Sequence, residues 1–369
     1  MAKAGEPVVL VASAEFILKS SPVRRTLEQR LIDDLKFTLR RHGLECSRVE
    51  KDAARLVVFG TSPTEEAAAL CSNVFGVSYS APAQLLMNTS LHDITEKITE
   101  VAQQRLPPGS LFAIRSRRST PGTISRREVE LQGGSSILGA MKDRAVKVDL
   151  EAPDVTFYVD LVGRDAYIYS EKLKGPGGLP LSAQWKMLAV LDRGPLSILA
   201  AVAMMRRGSV VQLFIPVSDT LGTLCSSMQM ALAETISRLV TRPNYTAFVF
   251  EVDRFLDAGS AHTDGWRRPV RQTAAKFASD NRFKGLVFGD ISGHLSDLGG
   301  VSAAGIQLPT FYPLLALQPE DLTELSRLVR IGESELVCSM DSGNQSPDLG
   351  GTKQSAEVLD SSAVREVRL

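Results

Sequence analysis

Between Gly175 and Pro180 the sequence reads GPGGLP. Proline fixes φ and gives up its amide hydrogen, and glycine is the costliest residue to order, so neither a strand nor a helix runs through such a stretch. The break divides a chain of 369 residues, long enough for two or three domains, into parts with different patterning. After it, KMLAVL, SVVQLFIPV, TAFVFEV and KGLVFG read as strands, and helical stretches start near Ser197, Leu221 and Thr273. Strands alternating with helices predict a doubly wound parallel sheet. Pro319 to Ile331 adds a last helix, with Leu322, Leu325 and Leu328 at three-residue spacing. Beyond Cys338 the chain turns rich in Ser, Gly and Asp, which predicts a mobile tail over 339–369 with a short helix after Ser355.

Before the break the pattern begins β-α-β-α-β. VVLVA, Val8 to Ala12, is a buried strand. Pro22 suits the first turn of a helix behind Ser20 and Ser21, and Leu27, Leu31, Leu35 and Leu39 recur every fourth residue up to Gly43. ARLVVFG ends a second strand at Gly60, Pro63 opens a helix with Glu65 and Glu66 in its first turn, and Val74 to Ala83 returns as a strand. A ferredoxin-type α/β sandwich takes about 80 residues of this kind. Next, Leu91 to Leu106 reads as a helix, SLFAIRSRR as a strand, Ser125 to Leu138 as a helix or turn, and VKVDLEAPDVTFYVDLVGRDAYIYSEKL as two or three strands.

Bulk properties exclude several classes. Lys and Arg number 42 against 42 Asp and Glu, so no global field draws the chain to nucleic acid. Locally, Gln103 to Leu150 carries nine basic residues (Arg105, Arg115, Arg117, Arg118, Arg126, Arg127, Lys142, Arg144, Lys147) against four acids (Glu128, Glu130, Asp143, Asp149). The longest apolar runs, such as Leu196 to Met205, fall well short of the roughly 20 residues of a membrane span. Glu6, Glu15 and Lys19 interrupt any signal region. The expectation is a cytoplasmic protein without membrane contact. Cys46, Cys71, Cys225 and Cys338 form no CxxC pair, and His42, His92, His262 and His294 form no HExxH cluster, so no metal site is expected.

VFGVSYSAPA, FAIRSRR, VKVDLEAPDVTFYVDL, GPGGLP, a strand-turn-helix ending MMRRG, and LVFGD followed by LPTFYPLLALQPEDLTEL occur in one order. Together they resemble the tRNA 4-thiouridine synthetase (ThiI) family over roughly Val8 to Val337. The resemblance implies a ferredoxin-like α+β domain at 1–82 and a THUMP RNA-binding α/β domain at 83–174. After a linker at 175–181 it implies a Rossmann-like adenylating domain of the PP-loop type at 182–338, with no rhodanese segment following.

Strand alternation in FAIRSRR sets Phe112 and Ile114 on one face and Arg115 and Arg117 on the other. Arg118, Arg126, Arg127, Arg144 and Lys147 extend the charge, and guanidinium groups clamp phosphate oxygens bidentately. From composition alone a solvated face paired to Glu128 and Glu130 is the simpler reading; the resemblance favours RNA binding and implies the acceptor end of tRNA. Lys19, Arg24 and Arg25 flank a helix start that holds a phosphate or is simply capped and exposed.

The family's PP-loop reads Ser-Gly-Gly-x-Asp-Ser. Here those places hold Asp192, Arg193, Gly194, Pro195, Leu196 and Ser197, so only the second Gly and the last Ser match. Such a loop works as a nest of amides around pyrophosphate. Asp192 sets a negative charge beside it, and two charges at about 4 Å interact by about 4 kcal/mol at an effective dielectric near 20. Arg193 offsets this if it pairs with Asp192, while Pro195 removes a donor. A Cys-Arg-Arg segment stands as Val270, Arg271 and Gln272. A Gly-Glu-Ser-Leu-Gly-Gln region stands as Gly289, Asp290, Ile291, Ser292, Gly293 and His294, which puts Gly289, Asp290 and Ser292 at a strand end where open α/β sheets bind ligands. Sulfur transfer implies a persulfide-carrying thiol. Cys338 is the late-chain candidate, although a cysteine without a neighbouring base is ordinarily inert, and Cys225 reads as helix packing.

These features predict a tRNA-binding, ThiI-like protein of tRNA modification whose PP-loop holds ATP poorly or not at all. It would work beside an active thiolase or sulfur-donor protein. A homodimer suits the family but is not written in the sequence. The alternative is a working thiolase, in which ATP adenylates a uridine carbonyl oxygen and sulfur displaces AMP. A scaffold without an RNA role is the third class.

Overall fold

The computed structural model describes residues 5–13, 19–53, 55–237, 239–240, 245–253, 266–292, 308–332 and 364–368. The chain divides into two compact units, Met1–Gly177 and Gly178–Leu369.

The first unit begins β1 (Glu6–Ala12), α1 (Ser21–Arg41), β2 (Arg48–Asp52), β3 (Arg55–Phe59), α2 (Thr64–Cys71) and β4 (Tyr79–Leu86). It continues with α3 (Leu91–Arg105), β5 (Leu111–Arg118), α4 (Arg126–Ala140), β6 (Lys147–Val148), β7 (Val155–Val162), β8 (Asp165–Tyr169) and β9 (Leu173–Lys174). One sheet runs through the whole unit in the order β2-β3-β1-β4-β8-β7-β5-β6, with β9 paired to β4. Its first half is β-α-β-β-α-β with β1 antiparallel to both β3 and β4, the ferredoxin-like arrangement. The sequence pattern had no place for β2. RVEKD has a single apolar residue, Val49, and becomes a strand only by pairing with β3. Its charges blunt an exposed edge.

Ile94, Ile98 and Ala102 of α3 and Val129 and Ile137 of α4 cover one face of the second half, against Phe112, Ile114, Phe157 and Val159. The opposite face carries Val8, Leu10, Val57, Phe59, Ala83, Tyr167 and Tyr169. These side chains are buried because the sheet rolls on itself. The Tyr167 hydroxyl in β8 donates to Asp52 of β2, and Arg55 at the start of β3 pairs with Asp160 of β7. Each contact skips three intervening strands. In a flat sheet four inter-strand steps would hold such residues about 19 Å apart, so strong curvature is required. Burial pushes the Tyr167 hydroxyl well above its ordinary range, and the hydrogen bond to Asp52 adds to this.

The second unit comprises β10 (Lys186–Val190), α5 (Pro195–Arg206), β11 (Val210–Val217), α6 (Ser226–Ser237), β12 (Thr246–Glu251), α7 (Arg267–Asp280), β13 (Leu286–Val287), β14 (Thr310–Phe311), α8 (Pro319–Val329) and β15 (Val364–Arg368). The sheet order is β14-β13-β10-β11-β12-β15. All pairs are parallel except β12 with β15. This is the doubly wound sheet the alternating pattern predicted. α5 is sunk into the core on nearly all sides, which its small and apolar residues allow. Phe214, Phe250, Phe277 and Phe283 fill the other side with Val270 and Ala274 of α7. Within the expected mobile tail, Val364–Arg368 is instead an edge strand. Its backbone completes the open side of β12, a gain that local composition does not report. The rest of that segment lies outside the described residues.

Candidate nucleotide site and basic residues

β10 pairs with β11 on one side and β13 on the other, so the chain reverses its winding at β10. Ligand crevices of open α/β sheets lie at the carboxyl ends of strands at such a point. Asp192 and Arg193 follow β10 and Asp290 follows β13 there. Gly289 allows the approach. A Cβ on it would lie 2.5 Å from the Ser197 amide nitrogen and 2.6 Å from the Leu196 carbonyl carbon.

A closed set of charges fills the crevice end. Arg271, one turn into α7, donates from Nε to Asp192 Oδ2 at 2.5 Å and from Nη2 to Asp290 Oδ1 at 3.0 Å. Arg193 Nε donates to Asp290 Oδ1 at 3.1 Å. Arg267 Nε holds the Asp192 carbonyl at 3.2 Å. The Arg271 and Asp290 residues are 2% and 0% exposed. The Arg271 guanidinium also lies 4.4 Å above the Phe288 ring, on which Tyr312 stacks at 5.7 Å. Burial alone would lower the Arg271 pKa, but Asp192 and Asp290 outweigh it and hold the group above its ordinary value. Two guanidiniums and two carboxylates thus neutralise one another out of water.

The loop amides are turned inward as well. Arg193 N–H donates to Ser197 Oγ at 2.9 Å, Leu196 N–H to the Arg193 carbonyl, and Ser197 N–H to the Gly194 carbonyl. Pro195 has no N–H. Gly194 turns the loop at φ 52°, ψ −129°, a conformation closed to side-chain-bearing residues. The structure therefore brings together Asp192, Arg193, Gly194, Ser197, Gly289 and Asp290 from the expected set, and leaves Ser292 exposed. Arg193 does not offset Asp192 by pairing with it: Asp192 is taken by Arg271 and Arg193 by Asp290. Sequence reasoning gave Arg271 no role. The available signal was an arginine one turn into α7 on the face that carries Ala274, Ala275 and Ala278, all buried, where a charge demands acidic partners.

In the first unit Arg115 and Arg117 do face away from Phe112 and Ile114. They share a face with their β7 partners Tyr158 and Asp160. Arg115 Nη2 donates to the Leu150 carbonyl at 2.7 Å, and Arg117 Nε lies 3.6 Å from Asp160. Arg118 turns to the other face and bonds the Gly122 carbonyl. Arg126 and Arg127 are exposed in the first turn of α4, and Arg144 and Lys147 are exposed beyond its end. Arg144 bonds the Gln103 carbonyl at 3.0 Å. None of these cations pairs with Glu128 or Glu130 among the described residues, and Glu130 instead accepts from Ser116 N–H at 2.8 Å. Lys19 and Arg25 are exposed and Arg24 half-buried at the start of α1, where Ser20 is the N-cap residue without a side-chain capping bond.

Cys338 lies outside the described residues, as does His294. Cys225 is exposed immediately before α6, not packed inside a helix. Hydrogen bonds from the Ser227 side chain and from the Met228 and Ser227 backbone lower its pKa. Burial pushes the Cys71 thiol up to about 12. No helix among the described residues is long and apolar enough to cross a membrane, and no group of His, Cys, Asp and Glu among them could hold a metal ion.

The family model for the ThiI ferredoxin-like domain matches residues 8–80, and that for the THUMP domain matches residues 88–171. A probable tRNA sulfurtransferase of Aeropyrum pernix is 30% identical over 351 residues, covering 90% of this chain and 87% of that protein. The chain belongs to the ThiI-like tRNA sulfurtransferase family. A tRNA sulfurtransferase of Thermoplasma volcanium is 29% identical over 86% of the chain and 66% of its own length. Two crystal structures share the fold. PH1313 from Pyrococcus horikoshii Ot3 has a TM-score of 0.66 at 24% identity, over 88% of this chain and 100% of its own. A 4-thiouridine synthetase–RNA complex with bound ATP has a TM-score of 0.69 at 15% identity, over 91% and 87%.

Removing one member of the charge set leaves its partners buried and unpaired. Arg271→Ala is expected to cost about 3–5 kcal/mol, and Arg271→Ala combined with Asp192→Asn, which keeps the Arg193–Asp290 pair, to recover much of that loss; urea unfolding of wild type and both variants measures this. Thiol labelling at pH 8 is expected to modify Cys225 first and Cys71 only on unfolding, as read by mass spectrometry of time points with and without denaturant.

Proposed function

We propose that this chain binds tRNA through its first unit, as a member of a tRNA-modification system, and that its second unit keeps a nucleotide-binding frame in which ATP is held weakly or not at all. The observation that carries the second half is the Arg271 guanidinium seated between Asp192 and Asp290, with Arg193 on Asp290. A triphosphate is a concentrated negative charge. Beside Gly194 it would meet two carboxylates, and to recruit Arg271 or Arg193 it would have to break buried pairs. Breaking one costs about 3–5 kcal/mol, which lowers affinity by about two to four powers of ten. The inward-turned loop amides and Pro195 leave little of the amide nest that would offset this. ATP therefore fits these residues poorly.

The RNA half rests on the THUMP match, on the exposed Arg117, Arg126, Arg127, Arg144 and Lys147, and on the RNA bound in a solved structure of the same fold. Guanidinium and ammonium groups on phosphates position a nucleic acid and make its binding salt-dependent. A second reading, ATP-dependent thiolation of tRNA, is favoured by the names of the relatives. It requires the ion set to open on substrate binding, with Ser197 and Gly194 taking the phosphates.

Retardation of tRNA by the purified chain decides between the readings. Affinity is expected to fall as a power of salt concentration, by a slope of about 0.7–0.9 per phosphate neutralised, and to be unchanged when ATP is added at constant magnesium and ionic strength. Binding that appears only with ATP would favour the thiolase, and no retardation at low salt would favour a scaffold.

A further inference from the structure

Where the rolled sheet of the first unit closes, two arginines share one carboxylate and a lysine stands near them. Asp160 Oδ2 takes Arg55 and the Tyr169 hydroxyl, the latter at 3.0 Å, while its Oδ1 sees Arg117 only at 3.6 Å. Lys172 has no carboxylate partner among the described residues. Its ammonium lies 3.5 Å over the Tyr158 ring, 5.3 Å from that of Tyr79 and 5.8 Å from that of Tyr169. Tyr158 and Tyr169 stack at 5.1 Å. Arg55, Arg117 and Lys172 against Asp160 leave a formal excess of two positive charges. Burial lowers the Lys172 pKa, and the fields of Arg55 and Arg117 lower it further, as expected of cations held together.

This arrangement is unlike a solvated basic surface. There, long side chains splay and pair with acids at random. Here the strand register fixes the group: Arg117 stands opposite Asp160 and Arg115 opposite Tyr158. Lys172 is an exposed residue, and the Arg117 side chain is 55% exposed. A cation resting on a ring is held more weakly than one bonded to an anionic oxygen. Lys172 can therefore leave Tyr158 for a phosphate, and in doing so uncovers a ring face on which an unpaired base stacks.

We propose that Lys172 and Arg117 bind a phosphodiester of an unpaired RNA strand, with the Tyr158 ring taking the adjoining base and Arg55, kept on buried Asp160, adding only its field. This rests on the RNA-binding reading above and adds to it a defined subsite, two of whose members, Lys172 and Tyr158, lie outside the residues read from the sequence as RNA-binding.

Fluorescence anisotropy on the full chain tests it with three probes: tRNA, a short unpaired oligoribonucleotide and a blunt RNA duplex. Lys172→Ala and Arg117→Ala are each expected to weaken the unpaired probe about tenfold and to flatten its salt dependence by about 0.7. Lys172→Arg is expected to retain most affinity. Tyr158→Leu is expected to weaken the unpaired probe and leave the duplex unchanged. Lys284→Ala, an exposed lysine of the second unit, serves as control. Wild-type protein that binds no RNA overturns both this and the reading beneath it. Wild-type binding with Lys172→Ala, Arg117→Ala and Tyr158→Leu all unaffected overturns the subsite alone. Equal losses on duplex and unpaired probes, reproduced by competition with inorganic phosphate, mark a general anion site and overturn the assignment to an unpaired strand.

Discussion

One guanidinium organises the second unit. Arg271 leaves α7 to reach the strand ends of β10 and β13 at once, and its two acidic partners sit on different loops. Without it, Asp192 and Asp290 would be two carboxylates in a buried crevice, with Arg193 bonded to one and Arg267 to the backbone of the other. Neither could stay charged at low cost. The pairs need not add net stability over an apolar filling. Their consequence is positional: they hold the β10–α5 turn against the β13 end, Gly289 lets the two backbones touch, and the place where a doubly wound sheet ordinarily takes its ligand is filled by the protein's own charges.

The first unit solves a different problem. A sheet with helices on one face leaves the other exposed to water. Here curvature buries that face, and the Tyr167–Asp52 and Arg55–Asp160 contacts pin the curl. Closure brings cations from β3, β5 and the segment before β9 to one spot, which no single stretch of sequence contains. Charge excess in this unit therefore comes from topology as much as from composition.

Much of this was legible in the residues. The leucine repeat of α1, the alternation of FAIRSRR and the GPGGLP break gave elements and their faces, because each is a local consequence of helix or strand periodicity. The order of motifs gave the family. The departures in the loop, Asp192 and Arg193, marked two of the charges that the fold pairs at the crevice end. What local pattern could not supply was partnership. Arg271 finds its carboxylates 79 and 19 positions away, β2 and β15 become strands only through neighbours that need them, and Lys172 acquires its rings through the roll of the sheet. Cys225 was misread for the same reason: a Ser, Met and Ala-rich context suggested packing, while the loop before α6 leaves the thiol in solvent.

The central claim is that the crevice of the second unit is closed to nucleotide by its own ion pairs. Equilibrium dialysis of the purified wild-type chain against labelled ATP with magnesium tests it most directly. The account predicts no saturable binding below the millimolar range; one equivalent of ATP retained at micromolar concentration, and lost on Ser197→Ala, would contradict it.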